Sequence, residues 1–191
     1  MKNAEWIRRE LCEGIDFSLD DEKILMKWLN ENNKKSILSF FEFFPDETKH
    51  VFSGLLERGW LNFADNLYKI IKDRVDWERD ESCNKSAMQS VLKSLRNGDI
   101  DTALSLQKSY LKRYSIWYEL DVAEAANEGF YNCLISGNLE DAQKFWKKFN
   151  EFMDLTDTLK NAYNYCIAKY LSDTASGILD KFELKADFSQ F

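Results

Sequence analysis

Three glycines spaced 39 residues apart, Gly59, Gly98 and Gly137, constrain this chain more than any other feature. Around each of them one pattern recurs without gaps. Seven residues before the glycine stand Phe52, Val91 and Phe130, and three before it stand Leu56, Leu95 and Leu134. Two residues after it come Leu61, Ile100 and Leu139, and five after it Ala64, Ala103 and Ala142. Eight after it come Leu67, Leu106 and Phe145, and twelve after it Ile71, Tyr110 and Phe149. Offsets of −7 and −3 share one face of a helix that ends at the glycine, a residue free to adopt the positive φ of a C-cap. Offsets of +2, +5, +8 and +12 share one face of a following helix, at 3.6 residues per turn. So short a link folds the second helix back antiparallel to the first, and alanine at +5 lets the two approach closely. Asp99 and Asn138 fall where an N-cap belongs, whereas the first unit has Trp60 there and a weaker cap.

The pattern predicts helix pairs at about 46–58 and 60–75, 82–97 and 99–114, and 116–136 and 139–154. A further helix at about 156–176 follows, and Gly177, Leu179 and Phe182 repeat the motif one residue out of register, as a degraded terminal unit would. Helices at about 2–13, 20–31 and 34–44 precede the repeats, and Pro45-Asp46-Glu47 reads as a helix first turn. The expected fold is all-α: a single domain, a short α-solenoid of stacked antiparallel helix hairpins. It has an N-terminal helical cap (1–45), three hairpin repeats (46–154) and a C-terminal capping helix and tail (155–191). Composition agrees, because 7 Gly and 1 Pro cannot punctuate the turns of a β-sandwich or barrel.

The run Ser136-Gly137-Asn138-Leu139-Glu140-Asp141-Ala142-Gln143-Lys144-Phe145 resembles the glycine turn between the two helices of a tetratricopeptide- or ankyrin-type unit. The resemblance covers about residues 46–154 and belongs to the helical-repeat class as a whole. The period of 39 departs from the 34 and 33 of those two families, and their fuller signatures are missing. It implies a stacked helix-hairpin architecture whose relatives mostly bind peptides or proteins.

A net charge of −7, from 26 basic and 33 acidic side chains, argues against a nucleic-acid binder and against an anionic membrane surface as partner. The charge is unevenly spread: residues 81–114 carry 6 basic and 3 acidic side chains, and residues 115–154 carry 3 basic and 8 acidic. The first ten residues hold no apolar signal core, and no window approaches 18 uncharged apolar residues, so the expectation is a soluble, cytoplasmic chain. Cys12, Cys83, Cys133 and Cys166 lie 71, 50 and 33 residues apart without any CxxC. With one histidine in the chain they frame no zinc site and read as buried free thiols.

Glu47-Thr48-Lys49-His50 has the spacing of a metal half-site. A di-iron bundle needs a second such motif, and His50 is the only histidine, so no metal site is expected. No nucleophile elbow and no glycine-rich phosphate loop appears, and neither catalytic residues nor a cofactor is assigned. Two features remain as candidates for partner binding. Tyr114, Trp117 and Tyr118 cluster where the second hairpin hands over to the third, and Trp and Tyr are favoured interface anchors. Asp121, Glu124 and Glu128 stand on one face of the 116–136 helix, either solvated, paired with Lys108, Lys112 and Arg113, or open to a basic protein. The expected function is a non-enzymatic module that binds a protein or peptide. Its sharper form is an acidic inhibitor or immunity-type protein acting on a basic partner; the alternative is a small-ligand-binding protein or enzyme with a pocket between helices.

Overall fold

Positive backbone φ marks the joints of the architecture. The structure, a computed structural model, describes residues 21–74, 81–111, 116 and 119–182. Among them φ is positive at Asn32, Gly59, Gly98, Gly137 and Tyr170. At all five the same two hydrogen bonds close the end of a helix. The amide of the left-handed residue donates to the carbonyl three residues back, and the next amide donates to the carbonyl five back, as in Gly98 N to Leu95 O and Asp99 N to Ser94 O, both 2.9 Å. This is the Schellman arrangement, which satisfies carbonyls that a helix end leaves unpaired.

Each joint links two helices, and all ten elements among the described residues are helical. Asn32 joins α1 (Asp21–Asn30) to α2 (Lys34–Phe43), and Gly59 joins α3 (Pro45–Glu57) to α4 (Leu61–Ile71). Gly98 joins α5 (Glu81–Arg96) to α6 (Ile100–Tyr110), and Gly137 joins α7 (Leu120–Ile135) to α8 (Leu139–Phe149). Tyr170 joins α9 (Thr156–Ala168) to α10 (Ser172–Lys181). The side chains of Asn33, Asp99 and Asn138 accept the N-cap bond from the amide three residues on, while Trp60 makes no such bond.

Several helix limits differ from the sequence expectation. The helix expected at 156–176 is broken by Tyr170, whose φ of 59° no α-helix can contain. Gly177 therefore turns nothing: it lies inside α10, where an added Cβ would stand 2.6 Å from Leu139 Cδ1. The helices expected to reach 114 and 154 end at Tyr110 and Phe149, and the one expected from 116 begins at Leu120. The helix expected at 2–13, Cys12, Tyr114, Trp117 and Tyr118 lie outside the described residues.

Most repeat positions are core positions, with Leu61, Leu139 and Tyr110 only half-buried. Ala64, Ala103 and Ala142 are each 0% exposed, and so are Leu67, Phe145 and Phe149. Each large apolar side chain taken out of water at these sites contributes roughly 1.5–3 kcal/mol. The chain divides into two compact units, Met1–Gln89 and Ser90–Phe191. Within the first unit α1 packs on α3 and α2 on α4, first helix on first helix and second on second. Trp28, Phe40 and Phe44 form its aromatic centre, with ring centroids 5.8 and 5.0 Å apart. The second unit shows the same order: α7 packs on α9, α6 on α8 and α8 on α10.

Among the described glycines the tightest setting is that of Gly129 in α7. A Cβ there would lie 1.8 Å from the carbonyl oxygen of Leu95 and 3.0 Å from Phe145 Cζ, so α7 meets the last turn of α5 backbone to backbone. Asn132 Nδ2 donates to Arg96 O at 3.0 Å, and the buried Cys133 thiol donates to Gly98 O at 3.6 Å. Among the described residues no helix is long and apolar enough to cross a membrane.

Candidate functional site

The acids of α7 come first because their spacing marked them. Asp121, Glu124 and Glu128 are all exposed, on a helix whose opposite face is held by Val122, Ala125, Ala126 and Phe130 in the core. Glu128 pairs with Arg96 at 3.5 Å, a half-exposed contact worth at most about 1 kcal/mol. Its partner is thus on α5, not Lys108 of α6; Lys112 and Arg113 lie outside the described residues.

Glu124 and Glu128 line a groove of about 340 Å³ between α7 and α9, together with Asn127, Tyr131, Thr158 and Asn161. Asp121 is not part of that lining. The Thr158 hydroxyl bonds Asn127 Oδ1 across the groove. Burial pushes the Tyr131 phenol above its usual range, helped by the neighbouring Tyr165 and Cys166, so it remains a neutral donor at physiological pH. The Tyr131 and Tyr165 rings meet edge to face at 6.3 Å, and Lys169 Nζ sits 5.9 Å from the Tyr165 ring. Two carboxylates, two amides, a phenol and a hydroxyl thus converge with no basic side chain in the lining.

A second groove, of about 680 Å³, lies in the first unit between α3 and the start of α5. From α3 it takes Asp46, Glu47, His50, Ser53, Gly54 and Glu57, with Arg58 at the C-cap; from α5 it takes Ser82 and Ser86. Ser86 Oγ donates to Glu57 Oε1 at 3.3 Å. The Arg58 guanidinium folds back onto Gly54, where a Cβ would stand 2.9 Å from its nitrogen, and lies 5.1 Å from the Trp60 ring centroid. Ser53 is 6% exposed and its hydroxyl has no hydrogen-bond partner. A buried polar group left so costs roughly 1–3 kcal/mol.

The two grooves occupy the same register. Counted from the left-handed residue of each turn, Asp46 and Glu124 both stand at −13, His50 and Glu128 at −9, and Ser53 and Tyr131 at −6. On the following first helix, Ser86 and Thr158 both stand at −12, and each hydroxyl bonds back to the first helix of the preceding hairpin, to Glu57 of α3 and Asn127 of α7. In the α7/α9 groove the sequence singled out only Glu124 and Glu128, and Asn127, Tyr131, Thr158 and Asn161 were missed; in the other groove it marked Asp46 and Glu47 as a helix first turn and Glu47 and His50 as a metal half-site, and missed the serines. Comparing positions −13, −12, −10, −9 and −6 across the turns is the signal that finds them.

Other chemistry is limited. Cys83, Cys133 and Cys166 are buried, and burial, with Asp141 nearby, pushes the Cys133 thiol up to about 11. Such a thiol is protonated and inert at neutral pH. Hydrogen bonds from Lys144 and then Asn138 hold the Asp141 carboxyl below its usual range, which locks the first turn of α8. Among the described residues no three His, Cys, Asp or Glu side chains could hold a metal ion together. Comparison with protein-family models, with curated proteins and with solved structures finds no match to this chain.

Proposed function

We propose that this chain is a non-enzymatic helical-repeat module, a short α-solenoid of helix hairpins that binds a protein partner through a basic segment. The observation that carries the reading is the groove between α7 and α9, where Glu124 stands among neutral donors and acceptors beside Glu128, whose carboxylate also meets Arg96 of α5. Carboxylates in that setting favour a cationic side chain, and the amides of Asn127 and Asn161 suit the main chain beside it. Packing of first helix on first helix and second on second supports the solenoid arrangement. Such stacking leaves a furrow between successive first helices, and both grooves lie in such furrows. Complementary charge of this kind raises association rate and selects partners more than it adds raw affinity. An inhibitor- or immunity-type protein that covers the site of a basic target is the specific form this chemistry favours.

The test is capture from native cell extract by the full chain and by its Glu124→Lys/Glu128→Lys variant. Both positions are exposed, so the variant keeps its fold, which circular dichroism checks. A basic protein held by the wild type and lost by the variant supports the reading. Equal capture of the same protein by both overturns it.

A further inference from the structure

The turn between α9 and α10 breaks the pattern of the other four. Three residues before the left-handed position those turns have Leu29, Leu56, Leu95 and Leu134, all buried. Here the same position is Ile167, 52% exposed. The left-handed residue is asparagine or glycine elsewhere, and here it is Tyr170. A bulky side chain in that conformation is strained, and this one stands in water. One residue further on, Asn33, Asp99 and Asn138 cap the next helix at three of the turns. Here that position is Leu171, exposed and without a capping bond. At the Gly59 turn the exposed Trp60 has the Arg58 guanidinium 5.1 Å from its ring centroid. Apolar side chains scattered singly over a surface need no explanation. Three at one corner, with backbone strain among them, point to a function.

The repeat shows what such a corner is for. At the Gly98 turn α7 packs across it, with Gly129 against Leu95 O and Cys133 against the glycine. Among the described residues no helix follows α10 to do the same at Tyr170. The flanking charges indicate what does. Lys169, the C-cap of α9, and Asp173, in the first turn of α10, stand on either side of Tyr170-Leu171, and both are exposed. Neither forms an ion pair among the described residues. An apolar centre between one cation and one anion is complementary to itself under a two-fold axis, which brings each sign to its opposite.

We propose that this corner is a two-fold contact between two copies of the chain. Ile167, Tyr170 and Leu171 of each copy meet those of the other, and Lys169 of one lies beside Asp173 of the other. A surface of this size suits a weak, reversible dimer. It shares no residue with the lining of the α7/α9 groove, so it stands or falls apart from the function proposed for that groove.

Sedimentation velocity of the full chain over a hundredfold range of concentration is the test. The expected result is a reversible monomer–dimer equilibrium. Tyr170→Asn, which keeps the turn as Asn32 does, weakens the dimer at least tenfold with the circular dichroism spectrum unchanged. Lys169→Glu and Asp173→Lys each weaken it at least fivefold alone. Mixed in equal amounts the two charge variants associate again, because every contact between unlike chains then joins a carboxylate to an ammonium. A chain that stays monomeric at every concentration overturns the proposal and leaves the corner to a different occupant. A dimer indifferent to Tyr170→Asn, or charge variants that gain nothing on mixing, overturns it as well.

Discussion

Gly59 and Gly98 have nearly the same backbone, with φ of 75° and 79°, and the same pair of turn hydrogen bonds. Their surroundings differ. Nothing lies within 4 Å of where a Cβ would stand on Gly59, whereas on Gly98 it would meet Cys133 Sγ at 2.7 Å. The first glycine is required by its own chain alone. The second is required also by the helix that packs on it, since α7 lays Gly129, Asn132 and Cys133 across the end of α5 and its turn. A turn and a joint between hairpins are therefore separate demands that one residue type can meet together.

The largest expected effect extends that contrast to Gly129. Alanine in a helix interior is worth up to about 1 kcal/mol over glycine, but here its Cβ would stand 1.8 Å from a backbone oxygen that cannot swing aside. Overpacking against backbone wins, and Gly129→Ala is expected to cost about 3 kcal/mol or more. In a chain of this length that lowers Tm by roughly 6–12 °C; an unchanged Tm by calorimetry would mean that α5 and α7 do not meet as described. Next come Gly59→Ala and Gly98→Ala. Each pays the left-handed penalty of about 1 kcal/mol, and Gly98→Ala loses about 1 kcal/mol more by displacing Cys133. Urea midpoints at constant m value read the difference, and Cys133→Ala should erase it in a double-mutant cycle. Equal costs for the two glycines would collapse the comparison. The smallest effect has the opposite sign. Tyr170 holds the same left-handed joint with a side chain 93% exposed, so packing returns nothing for its strain. Tyr170→Asn, which copies Asn32, is expected to stabilise by about 0.5 kcal/mol, and a loss of stability would show that the tyrosine ring is held after all.

The three glycine joints were legible because positive φ leaves a residue-type signature. The joints at Asn32 and Tyr170 were not, because asparagine carries that signature only weakly and tyrosine not at all, and they sit 27 and 33 residues from the neighbouring glycine joints, off the 39-residue period. Gly177 carried the signature without the conformation; it is small because Leu139 packs against it. The buried alanines followed from the helical period, and α7's acid face from spacings of 3 and 4. What spacing within one helix could not give was which neighbour faces it. Asn127 and Thr158 are 31 residues apart and share a hydrogen bond only because α7 and α9 pair. Glu47-x-x-His50 shows the converse: read as an isolated metal half-site it led nowhere, and as one wall of a polar groove it has neighbours with matching chemistry.

The missing side chain at Gly129 also limits how an array like this can grow. The residues at the same register in α3 and α5 are Val51 and Ser90, both bearing a Cβ. A copy of the α3–α4 hairpin spliced in after Gly98 would drive a valine into the carbonyl of Leu95. Lengthening by duplication would therefore have to carry α5 through α8 as one cassette, seam included.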